Sequence, residues 1–270
     1  MLETYLPAVI LGVIQGLTEF IPVSSSGHLV IAHALMGDVA LGSAFDAVLH
    51  LATLLAILIY FRGDWWQMLT AWRSPVRRST LLNRRLLWLI ILASIPAGVF
   101  GAVSITWVDA NFRSLTSVAI LMLIMGVGFL ISSRLIKSIN DLNRLTWPKA
   151  LAIGLAQALA IIPGISRSGM TIVAGMYVGL RREVAARFSF LLAAPIIAGA
   201  GLWSLYTSLQ SGSWANGQYL FWLVAFTASL LSGLLAIQFL MSFLKQYSLN
   251  VFAYYLLVVG TGLLVYHFFF

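Results

Sequence analysis

The sequence contains no cysteine and few charged residues. There is no cysteine, so neither disulfide bonds nor thiolate metal sites can contribute to the fold. Charged residues make up only 9% of the 270 positions, against roughly 25% in soluble domains. A surface with so few charges cannot keep a compact core in water, which excludes the ordinary class of soluble globular domains.

Apolar residues dominate instead. They account for 61% of the chain, and the mean hydropathy is +0.97. Because a membrane-spanning helix needs about 20 consecutive apolar residues, we predict an all-α polytopic membrane protein with one integral membrane domain, residues 1–270. The formal net charge of +8 does not indicate a nucleic-acid partner, because the basic residues cluster in connections between apolar stretches.

Six apolar stretches are long enough to be spanning helices. They lie at 42–61, 86–106, 115–136, 188–208, 219–241 and 249–268. The connections 62–85, 134–149 and 181–187 are rich in arginine and lysine, whereas 107–114 and 207–218 are not. Since cytoplasmic loops carry the basic excess, we expect the last two connections to face outward.

Two further segments, 7–36 and 148–180, have the length of a span but contain prolines, glycines and polar residues at their centres. If the second crossed the membrane, Lys149 and Arg181 would lie on opposite sides, although both belong to basic connections. We therefore predict two re-entrant helix-loop-helix hairpins, the first entering from outside and the second from the cytoplasm. Irregular backbone at this depth requires surrounding protein or a wet cavity, so the hairpins should meet inside the bundle.

The two halves of the chain repeat one sequence pattern. The 142 positions that separate Gln15 from Gln157 also separate several other matching residues. These pairs are Gly12 with Gly154, Leu17 with Leu159, Ser24 with Ser166, Ser26 with Ser168, and Gly27 with Gly169. Each half, approximately 1–136 and 147–270, then holds one hairpin and three spans, and an odd number of spans inverts the second half. In many transporters with inverted repeats, the polar site lies at the repeat interface.

The centre of the first hairpin begins with an amide and a carboxylate. Gln15 and Glu19 are four residues apart and share one face of a helix, which Pro22 then interrupts. A carboxylate at membrane depth costs about 2.5 kcal/mol or more, and such residues are functional by default. We therefore take Glu19 as a functional residue. His33 and His50 are weaker candidates, the first at an interface and the second a polar residue inside a span.

After Pro22 the same hairpin contains a group of short polar residues. Ser24, Ser25 and Ser26 are typical caps of a helix that begins near Gly27, and the free amides of such a helix attract an anion. His28 lies in the first turn and should neighbour the carboxylate. Carboxylate, hydroxyl, imidazole and amide groups so close together are suited to phosphate-ester chemistry.

The centre of the second hairpin repeats this design with an arginine at its tip. Arg167 stands opposite Ser25 in the repeat, and its planar fork suits phosphate oxygens. Converging tips would bring it to the serines and His28. A purely structural pair with Glu19 is the alternative, and an intramembrane arginine beside two helix N-termini favours the anionic ligand. The predicted binding residues around both tips are Gln15, Ser24, Ser26, Gly27, Ser166, Ser168, Gly169 and Thr171.

These motifs resemble those of the BacA/UppP family of undecaprenyl-diphosphate phosphatases. The first is an (E/Q)-x-x-x-E pattern from Gln15 to Glu19 that continues to His28, and the second is PGxSRSxxT from Pro163 to Thr171. The stretch 188–195 also resembles the family. The likeness extends over nearly the whole chain.

The resemblance implies hydrolysis of undecaprenyl diphosphate to undecaprenyl phosphate and inorganic phosphate, which recycles the lipid carrier for cell-wall synthesis and confers bacitracin resistance. It implies a bacterial cytoplasmic-membrane enzyme that uses Mg or Ca, with Glu19 as a metal ligand. The catalytic residues carried over are Glu19, Ser25, His28 and Arg167. Gln15 is an amide at a position where some relatives carry a carboxylate, which leaves this helix with one acidic ligand.

Several alternatives remain open at this stage. Ser25 could attack phosphorus with His28 as its base, His28 could attack directly, or water could. A lipid flippase or secondary transporter could share the inverted repeat, whereas a structural scaffold would not need a buried Glu19 and Arg167. We expect the site to face outward. No pattern predicts the oligomeric state, so a homodimer is left open.

Overall fold

The computed structural model describes residues 2–36, 42–135, 139–210 and 219–269. Within these ranges the secondary structure is helical, apart from one isolated bridge between Asn140 and Leu180. The α-helices of the described ranges are α1 (Leu2–Phe20), α2 (Ser25–Met36), α3 (Gly42–Tyr60), α4 (Arg62–Thr70), α5 (Arg78–Phe112), α6 (Leu115–Leu135), α7 (Trp147–Leu159), α8 (Arg167–Tyr177), α9 (Arg182–Gln210), α10 (Tyr219–Phe243) and α11 (Asn250–Phe269).

The six predicted spans correspond to α3, α5, α6, α9, α10 and α11. In the part of the chain that the structure describes, five helices are individually long and apolar enough to cross a bilayer. The sixth, α3, reaches that length only together with α4, from which it is bent by 72°. The prediction of an all-α polytopic membrane protein is therefore confirmed.

Two connections are more helical than the sequence predicts. Residues 62–85 contain α4 and the first turns of α5, and residues 107–114 contain the end of α5, which is 35 residues long. Hydropathy marks only the apolar centre of such a helix, because polar residues can continue it into the interface, where the backbone bonds are still made. Part of the other expected outward connection, 211–218, lies outside the described residues.

Both predicted breaks are present at the centres of the two polar segments. The first separates Phe20 from Ser25, and the second separates Leu159 from Arg167. Ser24 has a φ of 73° and Gly164 a φ of +96°, so each break contains a residue in the left-handed region. This conformation turns the chain sharply within a few residues, and for a serine it is uncommon.

The second hairpin is closed at its base by backbone hydrogen bonds. The Asn140 amide donates to the Gly179 carbonyl at 3.0 Å, and the Arg181 amide donates to the Asn140 carbonyl at 3.0 Å. The chain before α7 therefore lies beside the chain after α8. The first leg, α7, has 13 residues, which at about 1.5 Å per residue is shorter than a hydrocarbon core of about 30 Å.

The first leg of each hairpin packs on a span from the other half of the sequence. Helix α1 packs most extensively on α10, and α7 packs on α5. Close approach needs glycine at both crossings, because a Cβ on Gly12 would overlap the Ala225 carbonyl and one on Gly154 would overlap the Ala93 backbone. Small residues at such crossings are typical of membrane helices.

The basic connections gather at one end of the bundle. Arg187 pairs with Asp64, Arg181 pairs with Asp141, and Arg85 donates to the Leu145 carbonyl at 2.6 Å. At the other end of α5, Arg113 lies 3.4 Å from the Asp46 carboxylate, which is also 3.6 Å from His33. The ends of α2 and α5 and the start of α3 therefore share the less basic end.

Candidate active site

The two hairpin tips meet around one buried carboxylate. Glu19, near the end of α1, is 6% exposed. Gln15 Nε2 donates to its Oε2 at 3.0 Å, as two residues four apart on a helix can. Ser25 Oγ, on the other side of the break, donates to the same oxygen at 2.7 Å. The carboxylate is thus bonded to both legs of the first hairpin.

The second hairpin contributes Arg167. Its Nη2 donates to Glu19 Oε1 at 2.8 Å and to the Glu19 carbonyl at 3.5 Å, while its Nη1 donates to the Ser189 carbonyl on α9 at 3.4 Å. The structure therefore places Arg167 at the first tip, between the two hairpins. Its guanidinium contacts Glu19 and α9 at once.

The Arg167–Glu19 pair is largely shielded from solvent, with side-chain exposures of 15% and 5%. Burying two charges removes their hydration, and the attraction between them offsets this only with good geometry and further hydrogen bonds. Ser25 and Gln15 provide two such bonds on the other carboxylate oxygen. Replacing a buried ion pair by apolar residues of similar volume is often neutral or stabilising, so stability alone does not account for these charges.

Equivalent serines cap the two helices that begin at the tips. Ser24 Oγ accepts a hydrogen bond from the Gly27 amide at 3.3 Å, and Ser166 Oγ accepts one from the Gly169 amide at 3.1 Å. Each hydroxyl satisfies one of the amides that a helix start leaves unpaired. The other predicted serines lie beside these caps. Ser26 Oγ is 3.4 Å from Ser24 Oγ, and Ser168 Oγ is 3.3 Å from Ser166 Oγ.

Both helix starts pack against α6. A Cβ on Gly27 would overlap Met122, and a Cβ on Gly169 would overlap Phe129. These two glycines therefore act in packing, since only their lack of a side chain lets α2 and α8 approach the same helix. The positive ends of two helix dipoles are brought close to Glu19 by this arrangement, a setting that favours negative charge.

Thr171 forms hydrogen bonds that stabilise the backbone at the tip of the second hairpin. Its Oγ1 donates to the Arg167 carbonyl at 2.8 Å and lies 2.5 Å from Ser189 Oγ. Thr171 and Ser189 are both buried. Of the predicted binding residues, Thr171 therefore supports the backbone from which Arg167 projects.

His28 is bonded to groups other than the carboxylate, unlike the predicted arrangement. Its Nδ1 lies 2.8 Å from the Ser24 carbonyl and its Nε2 lies 2.7 Å from the Tyr255 hydroxyl on α11. The imidazole nearest to Glu19 belongs instead to His50, whose Nε2 is 3.8 Å from Oε2. His28 stands three residues after Ser25 on α2 and its ring bonds to Tyr255 on α11, whereas His50 lies on α3, which packs beside α1.

The residues that could hold a divalent cation are Glu19 and Gln15. Within the described ranges, no group of three or more His, Cys, Asp or Glu side chains could hold a metal. Gln15 Oε1 is buried and has no hydrogen-bond partner. Carboxylate and amide oxygens are ligands that Mg and Ca prefer, so the pair fits a hard cation that takes its other ligands from diphosphate and water.

Comparison with known proteins assigns the family. The family model described as "Bacitracin resistance protein BacA" matches residues 8–262. The chain belongs to the BacA family. Among its relatives, the undecaprenyl-diphosphatase of Rubrobacter xylanophilus is 43% identical over 260 residues, which cover 94% of this chain and 95% of the relative. The proteins of the same name from Alteromonas mediterranea and Mycolicibacterium smegmatis are 39% and 38% identical, over 97% of this chain and 98% and 96% of theirs.

Two residues of this BacA-family site, Ser189 and Tyr255, are not among the predicted ones, and a third, His50, is only a weaker candidate in the sequence. In the sequence, His50 looks like a polar residue inside a span. In the structure, its Nδ1 lies 2.7 Å from the carbonyl oxygen of Asp46, four residues earlier. Ser189 lies in the stretch 188–195 that resembles the family, but no feature of that stretch places it beside Thr171 and Arg167. Tyr255 lies 227 positions from His28, and only the packing of α11 brings the two together.

Proposed function

We propose that this BacA-family protein hydrolyses undecaprenyl diphosphate to undecaprenyl phosphate and inorganic phosphate. Full-length relatives named undecaprenyl-diphosphatase support this activity. The protein is thus a hydrolase of the bacterial cytoplasmic membrane that recycles the lipid carrier for cell-wall synthesis. Bacitracin resistance is the expected consequence, in agreement with the description of the matching family model.

The meeting of Arg167, Glu19 and Ser25 at two helix starts is the observation that carries this proposal. A fixed cation, a carboxylate, a hydroxyl bonded to that carboxylate and two positive helix ends are the parts that phosphoryl transfer requires. A protein that only carried the lipid would need the anion-binding groups but no nucleophile beside them. The prenyl chain would extend between helices into the bilayer.

Ser25 is the nucleophile in this mechanism and Glu19 accepts its proton. The 2.7 Å bond from Ser25 Oγ to Glu19 Oε2 favours this pairing over one with His28. Arg167 moves from the carboxylate to the diphosphate oxygens. Ser25 Oγ then bonds to the terminal phosphorus while the phosphorus–oxygen bond to undecaprenyl phosphate breaks, and the hydroxyl proton passes to Glu19.

His28 activates water in the second half of the reaction. In the neutral ring the Nδ1 proton is donated to the Ser24 carbonyl, so Nε2 carries the lone pair that accepts a proton from water once water replaces the Tyr255 hydroxyl there. Water oxygen bonds to the phosphorus on Ser25, the serine oxygen leaves, and Glu19 returns its proton to it. Inorganic phosphate is released, and His28 passes the extra proton to solvent.

We also propose a divalent cation as cofactor, with Glu19 and Gln15 as its protein ligands. The buried, partnerless Oε1 of Gln15 supports this, because it belongs to the amide whose Nε2 bonds to Glu19. Bound there, Mg or Ca would supply positive charge against the phosphoryl oxygens. With Glu19 as its one carboxylate ligand from the protein, such an ion would need further oxygen ligands from the phosphate groups and water.

The fine architecture is part of the proposal. We propose two inverted repeats, 1–136 and 147–270, each with a re-entrant hairpin and three spans, and a site open to the outside. The crossed packing of α1 on α10 and α7 on α5 supports the repeat, because an inverted pair exchanges such contacts. The closed base of the second hairpin supports its re-entrant course. Since transporters share this design, flipping of the product is the alternative role that these contacts favour.

Rapid-quench trapping of the phosphoenzyme tests the mechanism. Purified protein and diphosphate labelled in the terminal phosphate should give phosphoserine at Ser25. His28→Gln should accumulate this species, with a burst of undecaprenyl phosphate equal to the enzyme and slow turnover afterwards. Ser25→Ala should form none, and Ser74→Ala, whose hydroxyl donates to the Thr70 carbonyl in the basic connection 62–85, is the control. Turnover without any phosphoenzyme in either protein would assign the attack to water, and no phosphate release would support the transporter.

A further inference from the structure

Each ring nitrogen of His28 has its own hydrogen-bond partner. The carbonyl of Ser24, 2.8 Å from Nδ1, can only accept, so Nδ1 carries the proton. Nε2 of the neutral ring is then an acceptor, and the Tyr255 hydroxyl, 2.7 Å away, donates to it. The two bonds together select one tautomer and one ring orientation.

The tyrosine also stacks on the imidazole. The ring centroids are 5.7 Å apart and the ring planes differ by 13°. Tyr255 lies on α11, which packs along α6 and belongs to the opposite half of the sequence from His28. A long helix therefore holds the aromatic ring against a residue that sits in the first turn of a short one.

We infer that Tyr255 is a positioning residue for His28 in the second step of the reaction. Its ring and hydroxyl fix the direction of the Nε2 lone pair before the phosphoenzyme forms, and attacking water then replaces the hydroxyl on Nε2. The inference rests on the proposed function, because it assigns a purpose to the orientation of a proposed base. Without the hydroxyl, the imidazole can rotate about its single remaining bond, to Ser24.

Tyr255→Phe tests this with little disturbance, because phenylalanine keeps the stacked ring. A hydrogen bond between neutral groups contributes about 1 kcal/mol, or about fivefold in rate. We expect kcat to fall about fivefold and KM to fall with it, so that kcat/KM, which reports the first half of the reaction, is unchanged while the steady-state phosphoenzyme fraction rises. Tyr254→Phe, at the more exposed neighbouring tyrosine, should match the wild-type protein. A wild-type phosphoenzyme fraction in Tyr255→Phe would overturn the inference.

The same substitution in a His28→Gln background shows whether the tyrosine acts through the histidine. We expect Tyr255→Phe to lower kcat there by much less than fivefold, since its partner is gone. A full fivefold loss in both backgrounds would assign Tyr255 to another contact and overturn the inference. Melting temperatures of the four proteins show whether any loss comes from unfolding.

Nitrogen NMR of histidine-labelled protein gives a readout that does not depend on activity. The chain has four histidines, and loss of a signal in His28→Gln assigns the ring. Tyr255→Phe should shift the His28 Nε2 resonance, and Tyr254→Phe should not. An unshifted resonance overturns the inference, whatever the reaction. A shifted resonance combined with normal turnover of His28→Gln would instead refute the catalytic role of His28, and the inference with it.

Discussion

Ser25 and Arg167, which are 142 positions apart, bond to the two oxygens of one carboxylate. Ser25 reaches Glu19 Oε2 at 2.7 Å, and Arg167 reaches Oε1 at 2.8 Å. They are the first residues of α2 and α8, so the two hairpins present the same helical position to one anion. In the first hairpin that position is a hydroxyl, and in the second it is a permanent cation. The proposed division between nucleophile and anion binding follows from this difference.

Loss of the arginine should affect both stability and activity, and a double variant separates the two. Arg167→Ala leaves Glu19 buried without its cation, which should lower the free energy of unfolding by about 3–5 kcal/mol. The rate of phosphate release should fall at least about a hundredfold. Arg167→Ala combined with Glu19→Gln should regain most of the stability and none of the activity. Thermal unfolding in detergent and a phosphate-release assay measure the two effects. If the double variant regained activity, the pair would be structural only.

A carboxylate in place of the Gln15 amide should lower the cation concentration that the enzyme needs. Gln15→Glu places two negative charges on one helix face, so the protein should melt lower without cation and be stabilised more when Mg or Ca is added. Because cation affinity rises with the number of charged ligands, we expect half-maximal activity at roughly tenfold lower cation concentration. Gln15→Met, which has no oxygen, should require more cation than the native chain. Identical cation titrations for all three proteins would remove Gln15 from the site.

The crossed packing of the hairpins predicts which glycines resist substitution. Gly12→Ala and Gly154→Ala should each lower the stability by about 1–3 kcal/mol, because the new methyl group would overlap backbone atoms of α10 or α5. Gly98, also within a membrane helix, has no atom within 4 Å of its Cβ position apart from the nearby backbone of its own helix. Gly98→Ala should therefore leave the melting temperature unchanged or raise it slightly. Equal effects at all three positions would contradict the packing described here.

The absence of cysteine makes the orientation directly measurable. Leu35 at the end of α2 and Val76 in the most basic connection are each 71% exposed. An impermeant thiol reagent added outside intact cells should label Leu35→Cys and not Val76→Cys. Permeabilised cells should label both, which controls for reactivity. The reverse pattern would place the candidate site at the cytoplasmic face.

The chemistry of the tips was predictable because charge is so costly at membrane depth. Glu19 and Arg167 stand out for that reason, and the repeat places them together. The partners of His28 and Glu19 on α3, α9 and α11 were not predictable, because no local pattern specifies which neighbouring helix faces a tip. Hydropathy likewise located α5 but not its ends, since helical hydrogen bonds continue through polar residues. His28 shows the same limit. Its place in the first turn of a helix was predicted, but the contact of its side chain with Tyr255 depends on how α11 packs.

The pairing of Arg167 with Glu19 also bears on product release. In the ligand-free protein the carboxylate occupies the guanidinium that a diphosphate would need, so substrate must compete with an internal anion for it. The same competition acts on inorganic phosphate at the end of each cycle, when Glu19 can take the arginine back. This internal competitor weakens the binding of both phosphate species, so it limits inhibition of the enzyme by its own product.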